Sequence, residues 1–294
     1  MQQPPDTAVS DRLRRLRHVA LDMDGTIYRG GTLFAATIPF LGLLRDLGLG
    51  YTFLTNNPSK SVADYLAHLR TMGIEATPDQ LYTSAQATIA YLGEHWPAVR
   101  RLFVLGTPSM CEQFRAAGYD LLPDSPHDEP DAVVVGFDTT LSYARLCRAA
   151  WRIQQGLPWF ATNPDLVCPT DEPTVLVDCG ALCAALSAAT GRAPTAVLGK
   201  PDPAMLTGIL RRHALAPDQL AMVGDRLYTD LAMARRAGVL GALVLTGEAT
   251  AAEAERCSPA PDLVVAGLEE FGAHLRAARA ADDTAATAED GLRR

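Results

Sequence analysis

This sequence of 294 residues lacks any apolar run long enough to cross a membrane. Its longest apolar stretch, Ala181 to Ala189, is far shorter than the roughly 20 residues that span a bilayer as a helix. The N-terminal segment carries positive charge, but it lacks the apolar core of about 7–15 residues that a secretory signal requires. We therefore predict a cytoplasmic protein without a transmembrane helix.

Paired cysteine motifs are also missing. The six cysteines lack Cys-x-x-Cys spacing, and they are too sparse for a disulfide framework. The six histidines show no metal-like spacing either. The sequence thus predicts reduced thiols and argues against a zinc site or a histidine-based mechanism.

Positive charge is scarce, since 34 acidic residues outnumber 26 basic ones and the net charge is −8. Such a chain has no overall attraction to nucleic acid or to an anionic membrane surface. Lysine is nearly absent, because Lys60 and Lys200 are the only two and the other basic residues are arginines. We expect the partner to be a small molecule, with no nucleic acid and no membrane involved.

Short apolar runs alternate with helical patterns along the chain. His18 to Asp22 and Tyr51 to Thr55 are predicted strands, and Ser59 is predicted to cap the next helix. Further strands are predicted at 102–105, 132–135, 159–161, 196–198, 221–223, 242–245 and 262–265. This alternation predicts an α/β fold with a doubly wound parallel sheet. The predicted domains are a discontinuous core (1–82 and 179–275), an inserted α/β domain (83–178) and a disordered tail (276–294).

Carboxylates follow two of the predicted strands. Asp22 and Asp24 lie at the end of the first strand, where Gly25 lets the backbone turn close to a ligand. Asp225 follows a later strand, and Asp230 comes five residues after it. Open α/β sheets bind ligands at the carboxyl ends of their strands, and Mg²⁺ prefers carboxylate oxygens. Each motif alone is more typical of a solvated turn or a helix N-cap, so the metal site rests on their combination.

Two further loops suit a phosphate group. Thr55, Asn56 and Asn57 follow a strand and offer a hydroxyl and amide donors. Lys200 lies in a Gly-Lys-Pro turn, where a compact ammonium can neutralise phosphate beside a carboxylate. Taken singly, the first is typical of an Asn-Pro turn and the second of an exposed turn.

Taken in order, the Asp-Met-Asp-Gly-Thr, Thr-Asn-Asn, Gly-Lys-Pro and Gly-Asp-x₄-Asp segments resemble the haloacid dehalogenase (HAD) superfamily. The resemblance covers nearly all of residues 18–270. The position of the insertion and the Ala-Thr-Asn-Pro-Asp segment at 161–165 are similar to its NagD-like branch, which includes p-nitrophenylphosphatases and phosphoglycolate phosphatases. The resemblance implies a Rossmann-like core with a large inserted α/β cap.

The resemblance also implies a role for each matched residue. Asp22 would be the nucleophile that becomes an aspartyl phosphate, and Asp24 would be the general acid and base. Lys200 would neutralise the nucleophile and the phosphate. Mg²⁺ would be held by Asp22, by the backbone carbonyl of Asp24 and by Asp225, with Asp230 in support.

The remaining matched residues would contact the substrate. Gly25, Thr55, Asn56 and Asn57 would surround the phosphate, and Asn163 in the cap would face the substrate, with Asp165 as a further candidate. For Asn163 and Asp165, a plain Asn-Pro turn is an equally good interpretation.

These expectations together describe a Mg²⁺-dependent phosphomonoester hydrolase. Its substrate would be a small cytosolic metabolite such as a sugar phosphate, a phosphoglycolate-like acid or a nucleotide, and the resemblance implies a homodimer formed through the cap. Two alternatives stay open at this stage. One is a phospho-accepting regulatory or metabolite-binding module with little turnover, and the other is a scaffold that has lost catalysis.

Overall fold

The computed structural model describes residues 6–123, 125, 127–168 and 173–292, and for 281–292 it describes the backbone only. The helices are α1 (Thr7–Arg15), α2 (Thr37–Asp46), α3 (Val62–Thr71), α4 (Ser84–His95), α5 (Pro108–Ala116), α6 (Tyr143–Gln154), α7 (Cys179–Thr190), α8 (Ala204–Arg212), α9 (Ala232–Ala237), α10 (Ala251–Arg256) and α11 (Leu268–Leu292).

The strands are β1 (His18–Asp22), β2 (Tyr28–Arg29), β3 (Thr32–Leu33), β4 (Gly50–Thr55), β5 (Leu81–Thr83), β6 (Arg101–Leu105), β7 (Asp120–Leu121), β8 (Ala132–Val135), β9 (Trp159–Ala161), β10 (Val167–Cys168), β11 (Leu176–Val177), β12 (Ala196–Val197), β13 (Leu220–Gly224), β14 (Leu240–Val244) and β15 (Leu263–Val265). A π-helical turn covers Leu227–Leu231.

The chain divides into two compact units. The first combines Met1–Phe53 with Ile209–Arg294, and the second is Leu54–Gly208. The second unit is therefore wider than the insertion predicted at 83–178, and the predicted limits of the core and cap domains stay a prediction.

A parallel sheet organises the first unit, with strands in the order β15-β14-β13-β1-β4. The pairs β1–β13, β13–β14 and β14–β15 are parallel. All five residues of β1 and of β13 are buried, which explains why these strands have continuous apolar runs rather than alternating patterns. The predicted α/β class with a doubly wound parallel sheet is confirmed.

The last helix, α11, overlaps the segment predicted as a disordered tail from residue 276. Leu275 and Ala278 are buried, and the carbonyl of Ala278 accepts a hydrogen bond from Arg14 Nε. Apolar residues at helical spacing, Phe271, Leu275 and Ala278, continue the buried face of α11 into this segment. Residues 276–280 are thus part of the packed first unit.

A second parallel sheet, in the order β12-β9-β8-β6-β7, organises the second unit. Apolar clusters cover both faces, with Phe114 and Phe160 in one and Trp159 and Leu186 in the other. The strand at 196–198, which is predicted as part of the core (179–275), forms as β12 but pairs with β9 in the sheet of the second unit, so its predicted assignment to the core is wrong. The short antiparallel pair β10–β11 and then α7 lie between β9 and β12 in the chain, so a helix precedes β12 as in a strand-helix-strand crossover.

Side-chain caps fix the start of several helices. Ser61, not Ser59, caps α3, because Asp64 lies three residues later and completes a reciprocal pair of hydrogen bonds. Among the helices of the described residues, none is both long and apolar enough to cross a membrane.

Candidate active site

Three buried carboxylates meet in the first unit. Asp22 is the last residue of β1, Asp225 directly follows β13, and Asp230 lies in the π-helical turn after it. Because β1 and β13 are parallel neighbours with Leu21 opposite Val223, their carboxyl ends lie side by side. One carboxylate oxygen from each of the three residues lies within 4.8 Å of the other two. The structure thus brings together three of the residues predicted as metal ligands.

This carboxylate cluster fits a hard divalent cation. Three like charges buried so close together repel one another, and burial removes the solvent that would screen them. A cation with a double charge offsets that repulsion, and Mg²⁺ prefers oxygen donors such as these carboxylates. The donor set of Asp22, Asp225 and Asp230 therefore fits Mg²⁺.

The fourth predicted ligand is the backbone carbonyl of Asp24, and the side chain of this residue lies outside the cluster. Its side chain is exposed, and its Oδ1 accepts a hydrogen bond of 3.4 Å from the backbone N–H of Gly30. The exposed carboxyl of Asp24 is thus not one of the three clustered carboxylates, whereas that of Asp22 is 8% exposed. Two carboxylates only two residues apart thereby have different surroundings, one buried and one exposed.

Close backbone approach holds Asp225 in place. Gly25 has a φ of +83°, and a Cβ there or at Gly247 would overlap the Asp225 carboxylate. The backbone N–H of Glu248 donates a hydrogen bond of 2.7 Å to Asp225 Oδ2. The loop that carries Gly25 and the loop after β14 are joined by a 2.6 Å bond from Thr246 Oγ1 to the Gly25 carbonyl. Glycine is required at both positions because any side chain would displace the carboxylate.

A charged group beside this cluster was not predicted from the sequence. Arg226 Nε lies 2.9 Å from Glu248 Oε2, and the Tyr228 hydroxyl donates a 2.8 Å bond to Glu248 Oε1. Burial opposes the charge of Arg226, but nearby acidic groups, those of Tyr228 and Glu248 foremost, raise its pKa above the ordinary value. Arg226 thus adds a permanent positive charge next to Asp225. Its position directly after the Gly-Asp pair is the signal that could have indicated it.

In the second unit, Asn56 and Lys200 are brought together. Asn56 Oδ1 accepts a 2.7 Å bond from the backbone N–H of Lys200, and Asn56 Nδ2 donates a 3.1 Å bond to the carbonyl of the same residue. The carbonyl of Asn56 accepts a 2.6 Å bond from Ser84 Oγ. Lys200 is only 5% exposed. The two predicted phosphate loops are therefore linked through the side-chain amide of Asn56.

The neighbouring residues of the Thr-Asn-Asn loop stabilise its turn. Thr55 Oγ1 accepts a hydrogen bond of 3.2 Å from the backbone N–H of Asn57. Asn57 Oδ1 accepts one of 2.9 Å from Ser59, and its carbonyl accepts one of 2.9 Å from the Tyr65 hydroxyl. The turn therefore has a fixed conformation, as a preorganised anion site requires.

The loop after β9 carries Asn163 and Asp165. Asn163 is fully buried, and its Nδ2 donates to Asp165 Oδ2 at 3.3 Å and to Asp178 Oδ1 at 3.1 Å. Burial raises the pKa of Asp178 to about 6, although hydrogen bonds from Cys179 and Asn163 act in the opposite direction. The predicted substrate contact of Asn163 stays a prediction, since its side chain is already engaged within the protein.

Comparison with known proteins places the chain in a family. It matches a model described as haloacid dehalogenase-like hydrolase over residues 19–120 and a HAD-hydrolase-like model over residues 197–271. It is 36% identical over 240 residues to D-glycerol 3-phosphate phosphatase of Mycobacterium tuberculosis, an alignment that covers 81% of this chain and 65% of that protein. The chain thus spans less than two thirds of the length of that relative.

Solved structures give the same result. A crystal structure of 4-nitrophenylphosphatase from Thermotoga maritima is 37% identical, with a TM-score of 0.83 and coverage of 89% of this chain and 98% of that one. A glycerol phosphate phosphatase of Mycobacterium tuberculosis, crystallised in complex with magnesium, is 32% identical, with a TM-score of 0.81 and coverage of 90% and 77%. The chain belongs to the haloacid dehalogenase-like hydrolases. Its place within that family is among the phosphatases.

Proposed function

We propose that this protein is a Mg²⁺-dependent phosphomonoester hydrolase that acts on a small sugar or polyol phosphate through an aspartyl-phosphate intermediate. The observation that carries the proposal is the carboxylate cluster, in which the candidate nucleophile Asp22 lies with Asp225 and Asp230. The names of its relatives, glycerol phosphate phosphatases and a 4-nitrophenylphosphatase, support a small phosphomonoester as substrate.

In the first proposed step, a carboxylate oxygen of Asp22 attacks phosphorus. A bond forms between Asp22 and phosphorus while the bond to the leaving oxygen breaks, and Asp24 gives a proton to that oxygen. The exposed side chain of Asp24 suits this exchange because it is accessible to both the leaving group and water.

In the second step, Asp24 accepts a proton from a water molecule that attacks phosphorus. The bond between Asp22 and phosphorus breaks, and inorganic phosphate leaves with Asp22 restored. Bound Mg²⁺, held by Asp22, Asp225, Asp230 and the backbone carbonyl of Asp24, would supply positive charge for the phosphoryl oxygens.

The phosphate contacts are proposed on the resemblance, with one refinement from the structure. The side-chain amide of Asn56 already makes its hydrogen bonds within the protein, so we expect Asn56 to bind phosphate through its backbone N–H. Thr55 would contribute its hydroxyl and Lys200 its ammonium group, while Gly25 and Asn57 would keep the backbone close to the phosphate.

Phosphate release from a substrate panel tests this function. The panel would contain D-glycerol 3-phosphate, phosphoglycolate, hexose phosphates, a nucleoside monophosphate and 4-nitrophenyl phosphate, each with Mg²⁺ and with chelator. We expect turnover that the chelator abolishes and that Asp22→Asn abolishes without unfolding the protein. Asp120→Asn, which changes an exposed carboxylate in the second unit, is the matched control and should leave turnover unchanged.

The outcome also separates the alternatives. Stable phosphorylation of Asp22 without release of phosphate would favour the phospho-accepting module, and neither phosphorylation nor release would favour the inactive scaffold. A cytoplasmic location and a homodimer formed through the inserted domain stay proposals, and light scattering of the purified protein would test the dimer.

A further inference from the structure

Lys200 is held through its peptide group by one side chain. The amide of Asn56 pairs with both the N–H and the carbonyl of Lys200, at 2.7 Å and 3.1 Å. Gly199 allows this close approach, because a Cβ there would lie only 2.8 Å from Asn56 Oδ1 and 2.7 Å from the Thr162 carbonyl. The Asn56 amide therefore holds the peptide group of Lys200 on both sides.

Asp165 determines the orientation of that amide. Its Oδ2 accepts a 2.9 Å bond from Asn56 Nδ2, the same nitrogen that donates to the Lys200 carbonyl. With both hydrogens of Nδ2 and the oxygen Oδ1 engaged, the Asn56 amide has a single satisfied orientation. Without the carboxylate, one Nδ2 hydrogen of a residue that is 8% exposed would lose its acceptor.

Asp165 is itself held in position. Asn163 Nδ2 donates to the same Oδ2 at 3.3 Å, and the Asp165 carbonyl accepts a 2.8 Å bond from the backbone N–H of Gly180. Asn163 is in turn fixed by Asp178, the N-cap residue of α7. A continuous set of hydrogen bonds thus connects the start of α7 to the Lys200 peptide.

We propose that Asp165 is a positioning residue that acts on Lys200 through Asn56. It does not contact the substrate in this role, and it maintains the backbone from which the Lys200 ammonium reaches the phosphate. The inference rests on the proposed function for its effect on catalysis, while the link from Asp165 to Lys200 stands on the hydrogen bonds alone. A carboxylate is suited to this task because one oxygen can accept from two amide nitrogens.

The lysine content of the chain gives a direct measurement. Because Lys60 and Lys200 are the only lysines, a protein labelled with ¹³Cε-lysine shows the signals of two side chains. We expect Asp165→Ala to shift or broaden the Lys200 signal and to leave that of the exposed Lys60 in place. Asp131→Ala removes a carboxylate that accepts bonds from the backbone of Arg100 and Arg101, and as matched control it should move neither signal.

Kinetics with the best substrate of the panel provide the second measurement. Displacing a charge-neutralising group by about 1 Å can cost on the order of a hundredfold in rate, so we expect Asp165→Ala to lower kcat at least about tenfold, with a smaller change in KM. Asp165→Asn keeps an acceptor oxygen and should retain most of the activity. Because Asp165 acts through Asn56, the Asn56→Ala/Asp165→Ala double variant should lose no more than Asn56→Ala alone.

Each failure has a distinct meaning. An unchanged Lys200 signal and unchanged kcat in folded Asp165→Ala would overturn the inference, as would losses that add in the double variant. If the parent protein hydrolyses nothing, the proposed function fails, and the ¹³Cε signal of Lys200 still decides the link from Asp165. If Asp165→Ala does not fold, Asp165→Leu, which fills similar space without an acceptor, replaces it in both measurements.

Discussion

A buried histidine on the central strand should make the folded protein sensitive to acid. His18 begins β1, and its Nε2 lies 2.8 Å from Thr52 Oγ1. Its ring stacks on that of His213 with centroids 4.2 Å apart, and a Cβ at Gly50 would overlap it. The packing leaves no room for the hydration that a charged imidazole requires.

Burial, together with the neighbouring His213, lowers the pKa of His18 from 6.5 to about 3. In the unfolded chain His18 takes up a proton below about pH 6.5, whereas in the folded protein it stays neutral. The unfolded state therefore gains protons as the pH falls, and stability decreases by about 1.4 kcal/mol per pH unit from this group. Between the unfolded pKa of 6.5 and the folded pKa of about 3, the total loss of stability is on the order of 5 kcal/mol.

His18→Gln removes the titration and keeps a group that can reach Thr52. In urea unfolding, the free energy of unfolding of the parent should fall by about 2 kcal/mol more than that of the variant between about pH 7.5 and about pH 5. His95→Gln, which changes a half-exposed histidine in α4, is the control and should follow the parent. Equal pH dependence of the parent and His18→Gln would refute the reasoning.

Three further substitutions test the site and its surroundings. Gly247→Ala places a Cβ on the Asp225 carboxylate, so calorimetry should show Mg²⁺ affinity reduced at least about tenfold; Gly93→Ala, whose Cβ meets nothing within 4 Å, should not change it. Asp230→Asn removes one of the three clustered charges. The metal-free protein should therefore become more stable to urea, while its Mg²⁺ affinity should fall. A less stable metal-free variant would contradict the argument that the three carboxylates repel one another. Burial raises the pKa of Asp178 to about 6. The protonated form of Asp178 therefore stabilises the folded protein below the pKa of the unfolded chain, and this stabilisation is lost as the pH rises through 6. Asp178→Asn should therefore exceed the parent by about 2–3 kcal/mol in unfolding free energy near pH 8 and match it near pH 4, and a pH-independent difference would contradict the assignment.

The sequence predicts the strands of the first unit well because their apolar runs are fully buried. The bounds predicted for the first strand, His18 to Asp22, are those of β1, since the apolar run ends abruptly in carboxylates. The strand at 196–198 is also predicted, but its predicted place in the core is wrong, because β12 pairs with β9 in the second unit. A strand of two residues carries little pattern of its own, and the path of the preceding helix, α7, decides which sheet it joins.

The carboxylate cluster could be predicted in part, because Asp22 and Asp225 lie at the carboxyl ends of predicted strands, whereas the ligand set itself is implied by the resemblance. The engagement of the Asn56 amide could not, because its partner Lys200 is 144 positions away in the chain. No local pattern indicates that an asparagine in a Thr-Asn-Asn turn will bind a peptide group rather than a ligand. The spacing of Ser61 and Asp64 is the local signal that identifies Ser61, rather than the predicted Ser59, as the cap of α3.

The pairing of β1 with β13 has a consequence for synthesis on the ribosome. Asp22 emerges early, whereas Asp225 and Asp230 are translated some two hundred residues later. The contiguous second unit, Leu54–Gly208, is complete before β13 exists. The nascent N-terminal segment therefore cannot pair with β13 while the second unit is being synthesised. During that interval the apolar residues of β1 are available to chaperones.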